Sequence, residues 1–478
     1  MSFHSLEYLL FLPTALAVYF LTPWRFRWAV IVAASVIFYA SWRLDYIVLL
    51  LFSTLVDYSV ALAMPRAGRR LRNVLLGISL TANLGILLGF KFFTDWANSL
   101  FASTFRPEDG GLTPMLFLLP LGISFYTFQT LSYTIDVWRG KREPERHLGY
   151  FAAYVMFFPQ LIAGPIERFG KLMPQLRGEQ VFDLARVGTG GGMILIGLYK
   201  KLVLADGLAP WIARSMEGAG GAFAAGDVFL LGVGNAYRYY CDLSGYADIA
   251  IGSALLFGIK LSQNFRRPFA AASVAVMWQR WHITVSNWFR DYLYLPLVRR
   301  FPGVPAARAV FTTVVMGVIG IWHGATWNWM TIGILGGVII GLSNYARKQI
   351  ATRTHYPQAV KRTLDIAERV FLWLYIPVMG VLVLIPDPGP AWAMIGEMAK
   401  APAQALSGGL VRIDLPALYL VLAIAAIELF KWLDARASVH GWLVARGRAV
   451  TFAFYLALIG ALILFGTYGN PDFLYFQF

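Results

Sequence analysis

The stretch VTFAFYLALIGALILFG, residues 450–466, carries no charged residue, and wound as an α-helix it would be about 25 Å long. That length nearly matches the roughly 30 Å hydrocarbon core of a bilayer. Similar apolar runs stand at LEYLLFLPTALAVYFL (6–21), VLLGISLTANLGILLGF (74–90) and LYLVLAIAAIELF (418–430), and about eleven to thirteen can be counted along the chain. The composition agrees: 58% of the 478 residues are hydrophobic and only 14% are charged, against about a quarter charged in an ordinary soluble domain. Lipid offers the backbone no hydrogen-bond partners, so only helices and closed barrels cross it, and these runs lack the alternation a barrel needs. The expected fold is therefore an all-α polytopic membrane protein of about 11–13 membrane segments.

The formal net charge of +15 does not point to nucleic acid, because of where the charge lies. With the N-terminus placed outside, segments 22–28, 64–72, 139–147, 344–369 and 434–448 face the cytoplasm and hold 19 Lys and Arg. The outward segments 1–6, 41–45, 93–113, 386–414 and 468–478 hold 4. This is the positive-inside asymmetry, so the basic charge records topology in a cytoplasmic membrane and contact with its lipid. The first run has neither a basic region before it nor a small-residue cleavage site after it, and it reads as a retained span. Cys241, the single cysteine, excludes an intramolecular disulfide and a cysteine-based metal cage.

Three zones divide what reads as one integral-membrane domain, 1–478. Residues 1–92 form four hydrophobic, hairpin-like scaffold spans with almost no buried polar groups. Residues 115–345 are interrupted by Gly and Pro and rich in polar side chains, and this zone is the expected catalytic core. Residues 370–467 return to plain spans, and FLYFQF closes the chain. Inverted-repeat transporters place broken segments in both halves. Here they are all central, which weighs against transport.

Within the core, RWHITVSNWFRDYLYLPL (280–297) sets polar groups among aromatic ones. On a continuous helix Arg280, Thr284, Asn287 and Asp291 share one stripe, while Trp278, His282, Ser286, Phe289 and Leu293 share the opposite one. His282 then points away from the charged face, toward the protein interior. Pro296 is expected to stop that helix, with Arg299 and Arg300 at its cytoplasmic end. In IWHGATWNW (321–329), His323 follows Trp322 and joins two apolar segments, 309–321 and 330–342, each marginal for a full crossing. If both dip only partway, His323 is held near the bilayer midplane, where an ionisable group is a functional candidate. The bland reading makes each histidine a hydrogen-bonded structural residue. Two of six histidines, both beside tryptophan and both in the polar zone, favour acid/base work near neutral pH. No third ligand at helical spacing supports a metal.

Two constellations flank the histidines. CDLSGYADIAIG (241–252) sets Asp242 and Asp248 beside Ser244 and Tyr246, and structural pairing of these carboxylates with Arg266, Arg267 or Arg280 is expected over direct substrate contact. LGISFYTFQTLSYTIDVWRG (121–140), which carries Gln129, and FFPQLIAGPIERF (157–169) read as cavity lining or re-entrant segments.

These motifs, in this order, resemble the membrane-bound O-acyltransferase family, and within it the alginate O-acetylation branch, with a more distant likeness to teichoic-acid D-alanylation proteins. The resemblance covers essentially the whole chain and is most specific between 121 and 329. It implies a helical ring around a central cavity, with His323 at the position of the family's catalytic base and His282 at the branch's second active-site histidine. It also implies a cytoplasmic acyl donor, expected to be acetyl-CoA with no bound cofactor, and an exported polysaccharide such as alginate or cellulose as destination. A periplasmic acetyltransferase of the SGNH type and the polysaccharide export machinery are the implied partners. A D-alanyl or other acyl transferase, and a non-enzymatic export channel with structural histidines, are the rival readings.

Overall fold

The computed structural model describes residues 1–93, 119–218, 224–351, 358–400, 421–429 apart from 423 and 427, and 439–468. FLYFQF and six of the thirteen residues of the run 418–430 lie outside the described residues. All regular elements among the described residues are helical. Six of them are long and apolar enough to cross a membrane: Ile47–Arg66, Arg69–Phe92, Ala306–His323, Trp327–Lys348, Gln358–Leu384 and Arg448–Phe465. Leu6–Leu21 is a shorter apolar helix.

The chain gathers into two compact units. Residues 1–191 with 250–262 form the first. It opens with α1 (Leu6–Leu21), α2 (Arg27–Ala40), α3 (Ile47–Ala63) and α4 (Arg69–Phe92), the four scaffold spans, followed by α5 (Ile123–Trp138). Contrary to expectation, the scaffold buries a polar cluster. The fully buried Asp57 of α3 accepts from the Ser79 hydroxyl, from Asn83 at 3.0 Å and from Thr134 of α5 at 3.1 Å. Each bond satisfies a group that would otherwise be stranded, so the cluster sets the mutual register of α3, α4 and α5.

The Pro-broken piece behaves as its sequence suggests. Helical turns at α6 (Leu148–Met156) and α7 (Phe158–Leu161) give way to irregular backbone up to Arg168, buried through Glu167. Gly122, at φ 73°, caps the start of α5, and a Cβ there would stand 2.3 Å from the Leu161 carbonyl oxygen, so this crossing admits only glycine.

Residues 192–249 and 263–478 form the second unit. Its main supports are α8 (Ala225–Leu256, which ends in the first unit), α9 (Val274–Arg280), α10 (Ile283–Phe289), α11 (Leu295–Arg299) and the hairpin of α12 (Pro305–His323) and α13 (Trp327–Ala351). The hairpin closes tightly because its contact face is glycine. A Cβ on Gly320 would meet the Trp329 carbonyl oxygen at 2.2 Å, and one on Gly333 would meet the Met316 carbonyl oxygen at 2.2 Å. Small residues let helix backbones approach in lipid, where association has no hydrophobic drive of its own.

Three local expectations are corrected here. The segment 278–293 is not one helix: the chain leaves helical geometry at Trp281 and His282, with His282 in the left-handed region at φ 45°. Pro296 does not stop its helix. It sits in the first turn of α11, and the wider turn Arg290–Tyr294 just before it, with i→i+5 geometry, absorbs the missing N–H. Finally, α12 and α13 are not half-crossings but helices of 19 and 25 residues. The apolar cores 309–321 and 330–342 understate them because Pro, Trp and His complete the ends.

Candidate active site

His282 and His323 stand together in the second unit, 3% and 4% exposed, with ring centroids 5.6 Å apart. Each reaches that place by a different local device. His323 is the last residue of α12, and Gly324 then turns extended so that α13 can begin at Trp327. A Cβ on Gly324 would fall 2.2 Å from the Trp329 ring, and in its absence that indole stacks on His323 at 5.1 Å and 16°. Trp322 meets the same imidazole edge-on at 4.6 Å. Two indoles thus hold the His323 ring in place at the end of its helix.

His282 is held by a residue that sequence reasoning missed. The Asn264 backbone carbonyl accepts from the Ile283 amide at 2.8 Å, while its side-chain oxygen accepts from the Thr284 amide at 3.1 Å and hydroxyl at 2.9 Å. A second bridge, the Arg266 amide donating to the Arg280 carbonyl at 2.9 Å, ties the same two strands of chain together. Four hydrogen bonds thus hold the left-handed turn at His282, a conformation costing of order 1–3 kcal/mol in a non-glycine residue.

The same contacts fix the imidazole's proton. Because the Thr284 amide can only donate, the Asn264 oxygen faces it, and the Asn264 NH₂ therefore faces His282 Nδ1, 3.3 Å away. Nδ1 accepts, and the proton of the neutral ring sits on Nε2. His282 lies outside the six spans, and burial pushes its pKa down to about 3, so the ring is neutral at physiological pH. Phe265 at 4.8 Å and Trp281 at 6.3 Å supply the apolar walls.

The other candidates divide. Trp278 is buried one ring beyond, 6.5 Å from Trp281, and with Trp281 it offers its carbonyl to the Ser286 hydroxyl, so Ser286 stitches the helix break. Arg280 and Asn287 are half-buried, and Asp291 pairs with the exposed Arg290 at 2.9 Å. Asp242 and Asp248 are paired as expected, but with lysines and not with Arg266, Arg267 or Arg280. Lys201, fully buried, binds Asp242 at 2.8 Å and Asp206 at 3.0 Å, and Lys200 takes Asp248. Both lysines lie on Tyr199–Ala205, a stretch of i→i+5 helical turn, while Arg267 pairs with Glu428 at 3.3 Å. Ser244 and Tyr246 are buried on α8. Gln129 belongs to the first unit, where its amide donates to the Tyr154 carbonyl at 2.5 Å.

The signal for Asn264 was available in SQNFRRPF, an amide beside a cluster of cations, but nothing local says that this loop returns to His282 eighteen residues later. Trp329 was quoted in its motif, yet stacking across the hairpin depends on the closeness that Gly320 and Gly324 create.

Comparison with known proteins converges on one family. The membrane-bound O-acyltransferase family model matches residues 46–385. "Probable alginate O-acetylase AlgI" of Azotobacter vinelandii is 35% identical over 394 residues, covering 81% of this chain and 76% of that protein. The protein of the same name from Pseudomonas aeruginosa is 33% identical over 88% of this chain and 80% of its own. "Peptidoglycan O-acetyltransferase" of Helicobacter pylori is 32% identical over 65% and 63%.

Proposed function

This chain belongs to the membrane-bound O-acyltransferase family and is an acyltransferase, and from that premise we propose that it transfers acetyl groups from cytoplasmic acetyl-CoA toward an exported polysaccharide. The observation that carries the reading is the buried histidine pair with its proton placement fixed. His323 takes the proton of an acceptor hydroxyl as that oxygen attacks the thioester carbonyl. The His282 Nε2–H donates to the oxyanion as it develops, and removal of one such donor typically costs about 10²–10³ in turnover. When the tetrahedral species collapses, the carbon–sulfur bond breaks and the thiolate leaves, taking the proton from His323. Acetyl, proton and electron pairs balance, and no metal is required.

The relatives named for alginate and peptidoglycan acetylation support a glycan as the destination. Alginate or cellulose fits the first group, and a periplasmic SGNH-type acetyltransferase would complete the transfer outside a bacterial inner membrane in which the N-terminus faces the periplasm. The test pairs two assays on His323→Ala: acetyl-CoA turnover by purified protein, and acetyl content with polymer yield in secreted glycan. Lost turnover with unchanged yield supports the reading. Normal acetylation by a folded variant overturns it.

A further inference from the structure

The α12–α13 hairpin carries a second site at the end opposite His323. A cleft of about 250 Å³ opens there, and its polar lining is Tyr294, Arg308, Thr312, Asn344, Tyr345 and Lys348. Arg308 precedes His323 by fifteen residues on one helix, about 22 Å along its axis, so this cleft is separate from the histidine pair. The floor is open because Gly341 has no side chain. A Cβ there would come within 3.2 Å of the Ala309 Cβ.

Among the described residues neither Arg308 nor Lys348 makes an ion pair, although their neighbour Arg347 binds Asp365 at 3.0 Å and Glu368 at 2.5 Å. A guanidinium and an ammonium converge with two phenols and an amide on one concave surface, a donor set that suits phosphate oxygens, while the Thr312 hydroxyl donates to the Arg308 carbonyl at 2.7 Å. What continues from the cleft is apolar. Ile334 and Val338, each 41% exposed, lie on the same helical stripe as Tyr345, beside Leu342 at 63%. A free phosphate has no use for such a track, whereas an acyl chain does.

We propose that this cleft binds the phosphodiester headgroup of an anionic phospholipid, with one acyl chain lying along Ile334 and Val338. The site is independent of the acyl-transfer reading, since none of its residues touches the histidines. Purified protein is loaded with phosphatidylglycerol or phosphatidylcholine of equal chain length, and retained lipid is counted by native mass spectrometry. Wild type is expected to retain phosphatidylglycerol preferentially. Arg308→Gln with Lys348→Gln should weaken that retention about tenfold to thirtyfold, while Arg299→Gln with Arg300→Gln, outside the cleft, leaves it unchanged. Equal retention of both lipids by wild type, or equal losses in the two double variants, would overturn the site. Displacement of phosphatidylglycerol by inorganic phosphate at matched concentration would overturn the lipid assignment in favour of a soluble phosphate ligand.

Discussion

Asn264→Ala separates the fixed proton of His282 from the mere presence of a histidine. The change removes an acceptor from the buried Thr284 amide and hydroxyl and a donor from His282 Nδ1. The hydroxyl can rotate, but the amide cannot, so about 1–3 kcal/mol of stability should be lost. For catalysis the relevant loss is the preference for Nε2–H. One net hydrogen bond is worth about 1 kcal/mol, a preference of about five to one for Nε2–H, and its removal leaves the two tautomers nearly equal, so the productive fraction and with it kcat fall about twofold. Because an oxyanion donor acts only in the transition state, KM for acetyl-CoA should hardly move. Thr284→Ala is the control: it loses one hydrogen bond to the same oxygen but leaves Asn264 facing Nδ1, and should cost stability without lowering kcat. Thiol release from acetyl-CoA, measured well below each variant's unfolding temperature, reads the outcome. Wild-type kcat in folded Asn264→Ala, or a loss confined to KM, would refute the tautomer argument.

Lys201→Met should cost about 3 kcal/mol, since it removes the buried cation that Asp206 and Asp242 share; a midpoint of unfolding close to wild type would contradict the pairing. Gly320→Val should prevent the hairpin from closing, with little folded protein recovered from detergent, because its Cβ would overlap the Trp329 carbonyl. His282 gives a pH dependence. Its folded pKa, about 3, lies below the unfolded value near 6.5, so the unfolded chain binds the extra proton and stability falls as pH drops below 6.5. The loss approaches about 1.4 kcal/mol per pH unit, so thermal midpoints should decline from pH 6.5 to 5, and His282→Gln should flatten that decline.

The membrane class was legible because apolar runs near crossing length are a one-dimensional signal, and the two histidines stood out because titratable residues are scarce among tryptophans. What was not legible depends on chain return. Asp57 lies in a span read as plain scaffold, since its partners Ser79, Asn83 and Thr134 come from two later helices. The pairing of Asp242 and Asp248 followed from the cost of burying a carboxylate, but their lysines lie some forty residues upstream, and arginines nearer in sequence were the natural guess. A helical wheel over 278–293 assumes unbroken geometry, so it placed His282 inward while missing the left-handed turn by which it gets there. That turn is written in Asn264.

The most direct test of the central claim is single-turnover acetyl transfer by purified His323→Gln, a variant that keeps a polar, hydrogen-bonding side chain between Trp322 and Trp329 but has no proton acceptor of imidazole basicity. The account predicts that acetyl-CoA still binds while transfer falls by about 10²–10⁴, the usual contribution of a general base. Transfer at the wild-type rate by a folded His323→Gln would contradict it.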